Sequence, residues 1–245
     1  MRIIWHLYCL KNNKIQAQKD FTMFKFFAAA TIMAISLTSH AELLENGDFE
    51  SAWDPETERG PGYIYNPDKT NSGLGWTFVG EAGLSKSGTA WHGVSPDNSQ
   101  FAFIQRDYSS IQQTFSVAQD GVLELSFLWA SRPRYNYGQN LLVSLTDGKR
   151  TYVLDDIEVD TTEWSMSSIN LGNVKSGDYT LVFLGYNDTD DDVAAFLDDV
   201  SISQTGYDIS SGNLESNFSY VVPAPLSAGG ILLAGIAFFR KKKKL

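Results

Sequence analysis

Between residues 42 and 222 of this 245-residue chain, no window carries the 3.6-residue period of an amphipathic helix. What recurs is short alternation broken by turn residues. The segments are Gly75–Val79, Gln100–Gln105, Ser110–Phe115, Gly121–Ala130, Asn140–Thr146, Thr151–Leu154, Glu163–Leu171, Asp178–Tyr186 and Ala194–Ser203. Asp147-Gly148 is a hairpin signal, and Asp120-Gly121 a weaker one. About nine short strands at such spacing predict an all-β fold, a single β-sandwich over residues 42–203. The one cysteine, Cys9, precedes that region, so neither disulfides nor thiolate-bound metal can hold it together. Its stability must come from an apolar core, helped at most by an oxygen-ligated ion.

Both ends read as addresses. Met23-Phe24-Lys25 opens a short cationic region, Ala28 to Leu37 is apolar, and Ser39-His40-Ala41 is a small-x-small cleavage site. Residues 23–41 therefore read as a secretory signal peptide, and residues 1–22 as a mis-assigned start. At the other end Val222-Pro223-Ala224-Pro225 precedes an apolar run, Leu226 to Phe239, and the cluster Arg240 to Lys244. A prolyl break, a short hydrophobic helix and a basic cluster make a tail, 222–245, whose positive end stays in the cytoplasm. Residues 204–221, rich in Gly, Ser and Asn, read as a linker to it.

Charge narrows the partners. The formal net charge is −10, but most cations lie at the two ends: residues 42–222 hold 9 Lys/Arg against 28 Asp/Glu. Such a surface repels nucleic acid and anionic lipid heads.

The closing segment Phe196-Leu197-Asp198-Asp199-Val200-Ser201-Ile202 sets a problem of its own. Strand side chains alternate between faces, so one of the two adjacent acids must point inward or along an edge. A buried carboxylate is costly unless it is paired or holds a metal. Asn46-Gly47-Asp48-Phe49-Glu50, a turn with acids on either side of an aromatic, is its candidate partner. The expectation is that the two ends of the domain meet and share a cation. Asp188, Asp190, Asp192 and Asp199 fall at offsets of an EF-hand loop, but Val193 stands where the sharp turn needs Gly, which favours a solvated hairpin.

Two resemblances add to this reading. The tail resembles the PEP-CTERM sorting segment of Gram-negative bacteria, with Ala224 in place of the usual acid, and that resemblance implies processing by an exosortase-type enzyme. The order Asn46 to Glu50, Gly75-Trp76, Asn98 to Ala102, Ile111 to Phe115, Leu123 to Ala130, Trp164 and Leu197 to Ser201 resembles a galactose-binding-like jelly roll, the fold of several carbohydrate-binding modules. In such modules a structural calcium often joins the opening turn to the closing strand. By position the resemblance implies Glu50 and Asp198 as ligands, with Asp48 beside them.

For sugar binding, Trp129 to Asn140 stands out. Flat aromatic rings can stack on the apolar faces of pyranoses, and Arg, Asn and Gln can bond their hydroxyls. Trp129 continues the Leu123, Leu125, Phe127 face and reads as core. Arg132, Arg134, Tyr135 and Tyr137 are the candidate ligand residues, with Trp91 at another edge of the groove. Catalysis finds little support: His92 is the one histidine of residues 42–222, and no nucleophile elbow, phosphate loop or His-Glu-x-x-His is present. The sequence thus points to a non-catalytic, exported polysaccharide-binding protein of the cell surface or matrix. It would be held at the inner membrane by its tail before processing. The alternative is a structural or adhesive matrix protein that binds other proteins and no sugar.

Overall fold

The computed structural model describes residues 42–51, 53, 62–67, 74–97, 99–135, 139–187, 192–218 and 221–223, the last three by backbone alone. The expected signal segment, most of the expected tail and Tyr137 lie outside the described residues.

Alternating segments become strands because period-two apolar residues can be buried only between two sheets. The strands are β1 (Tyr63–Tyr65), β2 (Thr77–Val79), β3 (Ala82–Lys86), β4 (Gln100–Gln105), β5 (Ser110–Val117) and β6 (Gly121–Ser131). They continue with β7 (Gln139–Thr146), β8 (Arg150–Val159), β9 (Ser165–Val174), β10 (Gly177–Tyr186), β11 (Ala194–Thr205) and β12 (Val221–Pro223). One sheet runs β1-β3-β4-β11-β6-β9 and the other β12-β8-β7-β10-β5-β2, and the pairing is antiparallel throughout. From β4 onward nearly every connection crosses between the sheets, as in a jelly roll. The expected all-β sandwich is what the chain forms.

The core lies between the sheets. Leu123, Leu125 and Phe127 of β6 meet Leu181 and Phe183 of β10, with Phe127 and Phe183 edge to face at 5.1 Å. Trp129 packs on this core as expected, its indole N–H donating to Ser167 Oγ at 3.0 Å. Trp76 is buried against Phe49, with ring centres 5.3 Å apart, and donates to the Asn46 carbonyl at 2.8 Å.

The opening segment and the closing strand do lie side by side. β4 pairs with β11 only over residues 194–197, and beyond that the opening segment takes over the same edge. The Leu43 N–H donates to Ile202 O at 3.2 Å, and the Val200 N–H to Gly47 O at 2.9 Å. Glu42 receives both the Ile202 N–H and the Ser201 hydroxyl.

Residues 204–221 differ from the linker expected of them. Residues 204–205 belong to β11, and 206–218 form a strap laid over the end of β9. Asn173 holds it: its amide donates to Asp208 O at 2.5 Å and Gly212 O at 2.7 Å and accepts the Asp208 N–H at 3.0 Å. One helical turn, α1 (Leu214–Asn217), capped by Asn213, then buries Leu214. Polar side chains rather than apolar period fix this strap, which is why its composition resembled a linker. Asn173→Ala removes all three bonds at a cost of about 2 kcal/mol. Limited proteolysis is expected to cut residues 206–218 faster in the variant while the sandwich resists. Equal cutting rates would mean that the strap is held elsewhere.

Val222 and Pro223 of the expected sorting motif lie in β12, an edge strand that tolerates Pro, against Thr151 and Arg150; Ala224 and Pro225 fall outside the described residues. Among the described residues no helix is long and apolar enough to cross a membrane.

Candidate functional site

Two places on the sandwich gather polar chemistry. The first is the seam between the opening segment and β11. There β11 bulges between Asp198 and Ser201, with Asp199 in the left-handed region at φ 48°. The bulge answers the adjacent-acid problem: Asp198 turns into the seam, 3% exposed, and Asp199 turns out to solvent. Burial pushes the Asp198 carboxyl up to about 8, and Asp199, Asp97 and Glu50 add to the rise, against one backbone N–H donated by Asp199. Burial, then Asp97 and Asp48, also raise Asp199.

Glu50 acts on Asp198 through its charge, but its own oxygens are engaged. They accept the Gln100 N–H at 2.8 Å and the Ser99 hydroxyl. Asp48 is exposed, accepts the Glu50 N–H at 3.3 Å and acts on Asp199 rather than Asp198. Asp97, which sequence reasoning missed, comes from the turn before β4. Its oxygen accepts the Ser99 N–H at 2.9 Å and the Ser95 hydroxyl at 2.7 Å.

These are carboxylate oxygens of the hard kind that suit calcium. A buried carboxylate ringed by three others, with no Lys or Arg paired to any of them among the described residues, is short of positive charge. In donor chemistry the seam therefore fits an oxygen-ligated cation. It is not a preformed triad: among the described residues no three acidic, histidine or cysteine side chains converge at metal-holding distance.

The second place is the outer face of the β1-to-β9 sheet. Outward-facing Phe101 and Phe103 of β4, Phe196 of β11 and Ala130 of β6 form a second apolar cluster under Trp91, flanked by Tyr63 and Trp164. Trp91 stacks on Phe103 with centres 4.0 Å apart, and the Arg132 guanidinium lies 4.4 Å from the centre of its ring. Two groups that close cannot share one face of an indole, so both faces of Trp91 are taken. It is 3% exposed and offers no platform to a sugar, contrary to its place among the expected ligand residues. Instead it supports the layer above.

That layer holds Arg132, Tyr135 and Tyr65. Arg132 lies 4.6 Å from the centre of the Tyr135 ring and pairs with Asp192 at 3.3 Å. Asp192 also receives the Gln105 amide, whose oxygen accepts the Tyr65 hydroxyl at 2.6 Å. Burial raises the Tyr65 hydroxyl, with Glu81 and Asp192 contributing, so at neutral pH it stays a donor. Tyr65 and Tyr135 remain 40% and 39% exposed. Arg134 is exposed in the left-handed region at φ 72° on the same turn, and no described contact ties it to the cluster. The structure thus joins Arg132, Tyr135 and Trp91 and adds Tyr65, Gln105 and Asp192. In the sequence Asp192 read only as part of a solvated acidic hairpin, and Tyr65 and Gln105 were not singled out.

No family model matches this sequence, and no curated protein matches it. Among solved structures it is similar to TmCBM61 bound to beta-1,4-galactotriose, with a TM-score of 0.43 and 16% identity over 67% of this chain and 99% of that one. It is also similar to the CBM22-1 xylan-binding domain of Xyn10C from Paenibacillus barcinonensis, with a TM-score of 0.46 and 13% identity over 71% and 100%. A cyclase from Fischerella sp. TAU scores 0.47 with 12% identity over 69% and 100%. With scores this low, what this chain binds follows from its own residues.

Proposed function

We propose that this is an exported, non-catalytic polysaccharide-binding protein of the cell surface or extracellular matrix. One observation carries the reading: two half-exposed tyrosine rings, Tyr65 and Tyr135, flank Gln105, Arg132 and Asp192 on a rigid aromatic bed. The rings supply apolar stacking area, and the polar groups between them donate and accept hydrogen bonds in fixed directions. A pyranose needs both. Rigidity matters because binding then orders few side chains. Arg134, on the same turn, and Tyr137, three residues further along the sequence, are proposed as outer contacts.

The tail, in this reading, delivers the protein: Val222-Pro223-Ala224-Pro225 is the motif for an exosortase-type enzyme, and the apolar run holds the chain at the inner membrane until then. Calcium is proposed at the seam, held by Asp198 and Glu50 with Asp48 at the rim. Bound there, it would supply the positive charge that the carboxylates lack. The chain's own part is to bring the opening segment against β11 and orient those oxygens.

Affinity electrophoresis through gels containing neutral or acidic exopolysaccharides tests the binding reading. Wild-type protein should be retarded by at least one of them. Tyr135→Ala should weaken the retardation about tenfold, since one stacked ring is worth about 1.4 kcal/mol. No retardation in any gel would favour the protein-binding matrix role instead.

A further inference from the structure

Residues 87–99 join β3 to β4 and pass over the aromatic bed. Of the loop's apolar side chains only Trp91 is both large and buried, and Val94 is 52% exposed. Gly93 sits flush on the bed, where an added Cβ would stand 2.6 Å from Phe196 and 2.7 Å from Phe101.

The neck of the loop is polar. The Ser87 N–H closes it, donating to Ser99 O at 2.8 Å. Ser95, 3% exposed, is the hub. Its N–H donates to Ser87 Oγ at 2.8 Å, and its hydroxyl accepts the Ser99 N–H at 2.7 Å and donates to Asp97 Oδ1 at 2.7 Å. Asp97 Oδ1 shares the Ser99 N–H at 2.9 Å. Glu50 takes the Ser99 hydroxyl and the Gln100 N–H.

The tip is fixed differently. The Trp91 indole N–H is buried and has no acceptor among the described residues, so packing and the loop backbone alone place the ring. That ring meets Tyr65 edge to face at 6.1 Å and carries the Arg132 guanidinium, which lies against Tyr135 in turn. One indole thus bears on both exposed tyrosines, directly on one and through Arg132 on the other.

We propose that Ser95 and Asp97 are positioning residues of the glycan site: their bonds hold the neck, the neck sets Trp91, and Trp91 sets the two tyrosines. This rests on the binding role proposed above. Neither residue bonds Tyr65, Arg132 or Tyr135, so their effect must pass through the loop. A site correctly set in only a tenth of the molecules binds about tenfold more weakly.

Two measurements on the full chain test this. The first is exchange of the Trp91 indole proton with water, followed by nuclear magnetic resonance and assigned through Trp91→Phe. In Ser95→Ala and Asp97→Ala it should quicken about tenfold, while the Trp129 indole proton, bonded to Ser167 in the core, keeps its wild-type rate. The second is calorimetric titration of the best-retained polysaccharide, well below the melting transition, where both variants should bind about tenfold more weakly. Asp97→Asn keeps an acceptor oxygen in the place of Oδ1 and should restore both readings. A merely structural role would quicken both indoles alike and leave affinity unchanged. An unchanged Trp91 rate in Ser95→Ala, or a quickened one with wild-type affinity, would overturn the proposal. So would an Asp97→Asn protein that behaves like Asp97→Ala. A wild type that takes up no polysaccharide would instead sink the binding role itself, and this inference with it.

Discussion

In the presence of a chelator, the protein is expected to lose stability as pH rises from 5 to 8, and calcium to restore what is lost. Asp198 is the cause. Burial pushes its carboxyl up to about 8 in the folded chain, against an ordinary value near 3.8 in the unfolded one. Between those values the folded state holds a proton that the unfolded state does not, so stability falls as pH rises through the window. Each pH unit inside it is worth up to about 1.4 kcal/mol, so from pH 5 to pH 7 the loss is roughly 2–3 kcal/mol. For a domain this size that lowers the melting temperature by roughly 5–10 °C. A cation at the seam competes with the proton for the same carboxylate, so saturating calcium should flatten the profile. Asp198→Asn keeps the shape without the charge and should show neither the slope nor the calcium effect. Melting curves across pH, with calcium or with EDTA, measure all of this. Coincident curves in calcium and EDTA would remove the ion from the account. A slope that persists in Asp198→Asn would remove Asp198 as its source.

The second large effect is expected from the smallest substitution. Gly47 lies so close to β11 that an added Cβ would overlap the Val200 carbonyl oxygen, a backbone atom fixed in the sheet. Neither side can yield alone, because the Val200 N–H donates to Gly47 O in the same contact. Gly47→Ala must therefore push the opening segment off β11. That loosens the Leu43 and Glu42 bonds to Ile202 and unseats Phe49, which is wholly buried against Trp76. The expected cost is about 4 kcal/mol, roughly 10 °C in melting temperature. Gly206→Ala is the control, since a Cβ there meets nothing within 4 Å. Equal melting temperatures for the two variants would mean that the seam is not part of the cooperative fold.

The strands that alternate were legible because one buried face writes period two into the sequence. β5, β6, β7, β10 and β11 follow the expected segments to within a few residues at each end. β3 was missed because Ala82-Gly83-Leu84-Ser85 is buried on both faces, which leaves no alternation to read. β1 was hidden inside a stretch rich in Pro and Gly, which reads as a loop. That the opening segment lies against β11 was legible from two acid-bearing turns. Asp97 was not, because a turn acid that bonds Ser95 and Ser99 reads like any other solvated loop residue. Trp91 misled for a related reason: its loop reads as exposed, and only the three-dimensional arrangement puts Phe103 under the ring and Arg132 over it.

The measurement closest to the heart of the account is calorimetric titration of the best-retained polysaccharide into wild-type protein and into the variant lacking both ring surfaces, Tyr65→Ala with Tyr135→Ala. Losing two stacking rings of about 1.4 kcal/mol each should weaken binding about a hundredfold, with the melting temperature little changed. Wild-type affinity in the double variant would place the ligand elsewhere on the molecule and contradict the account.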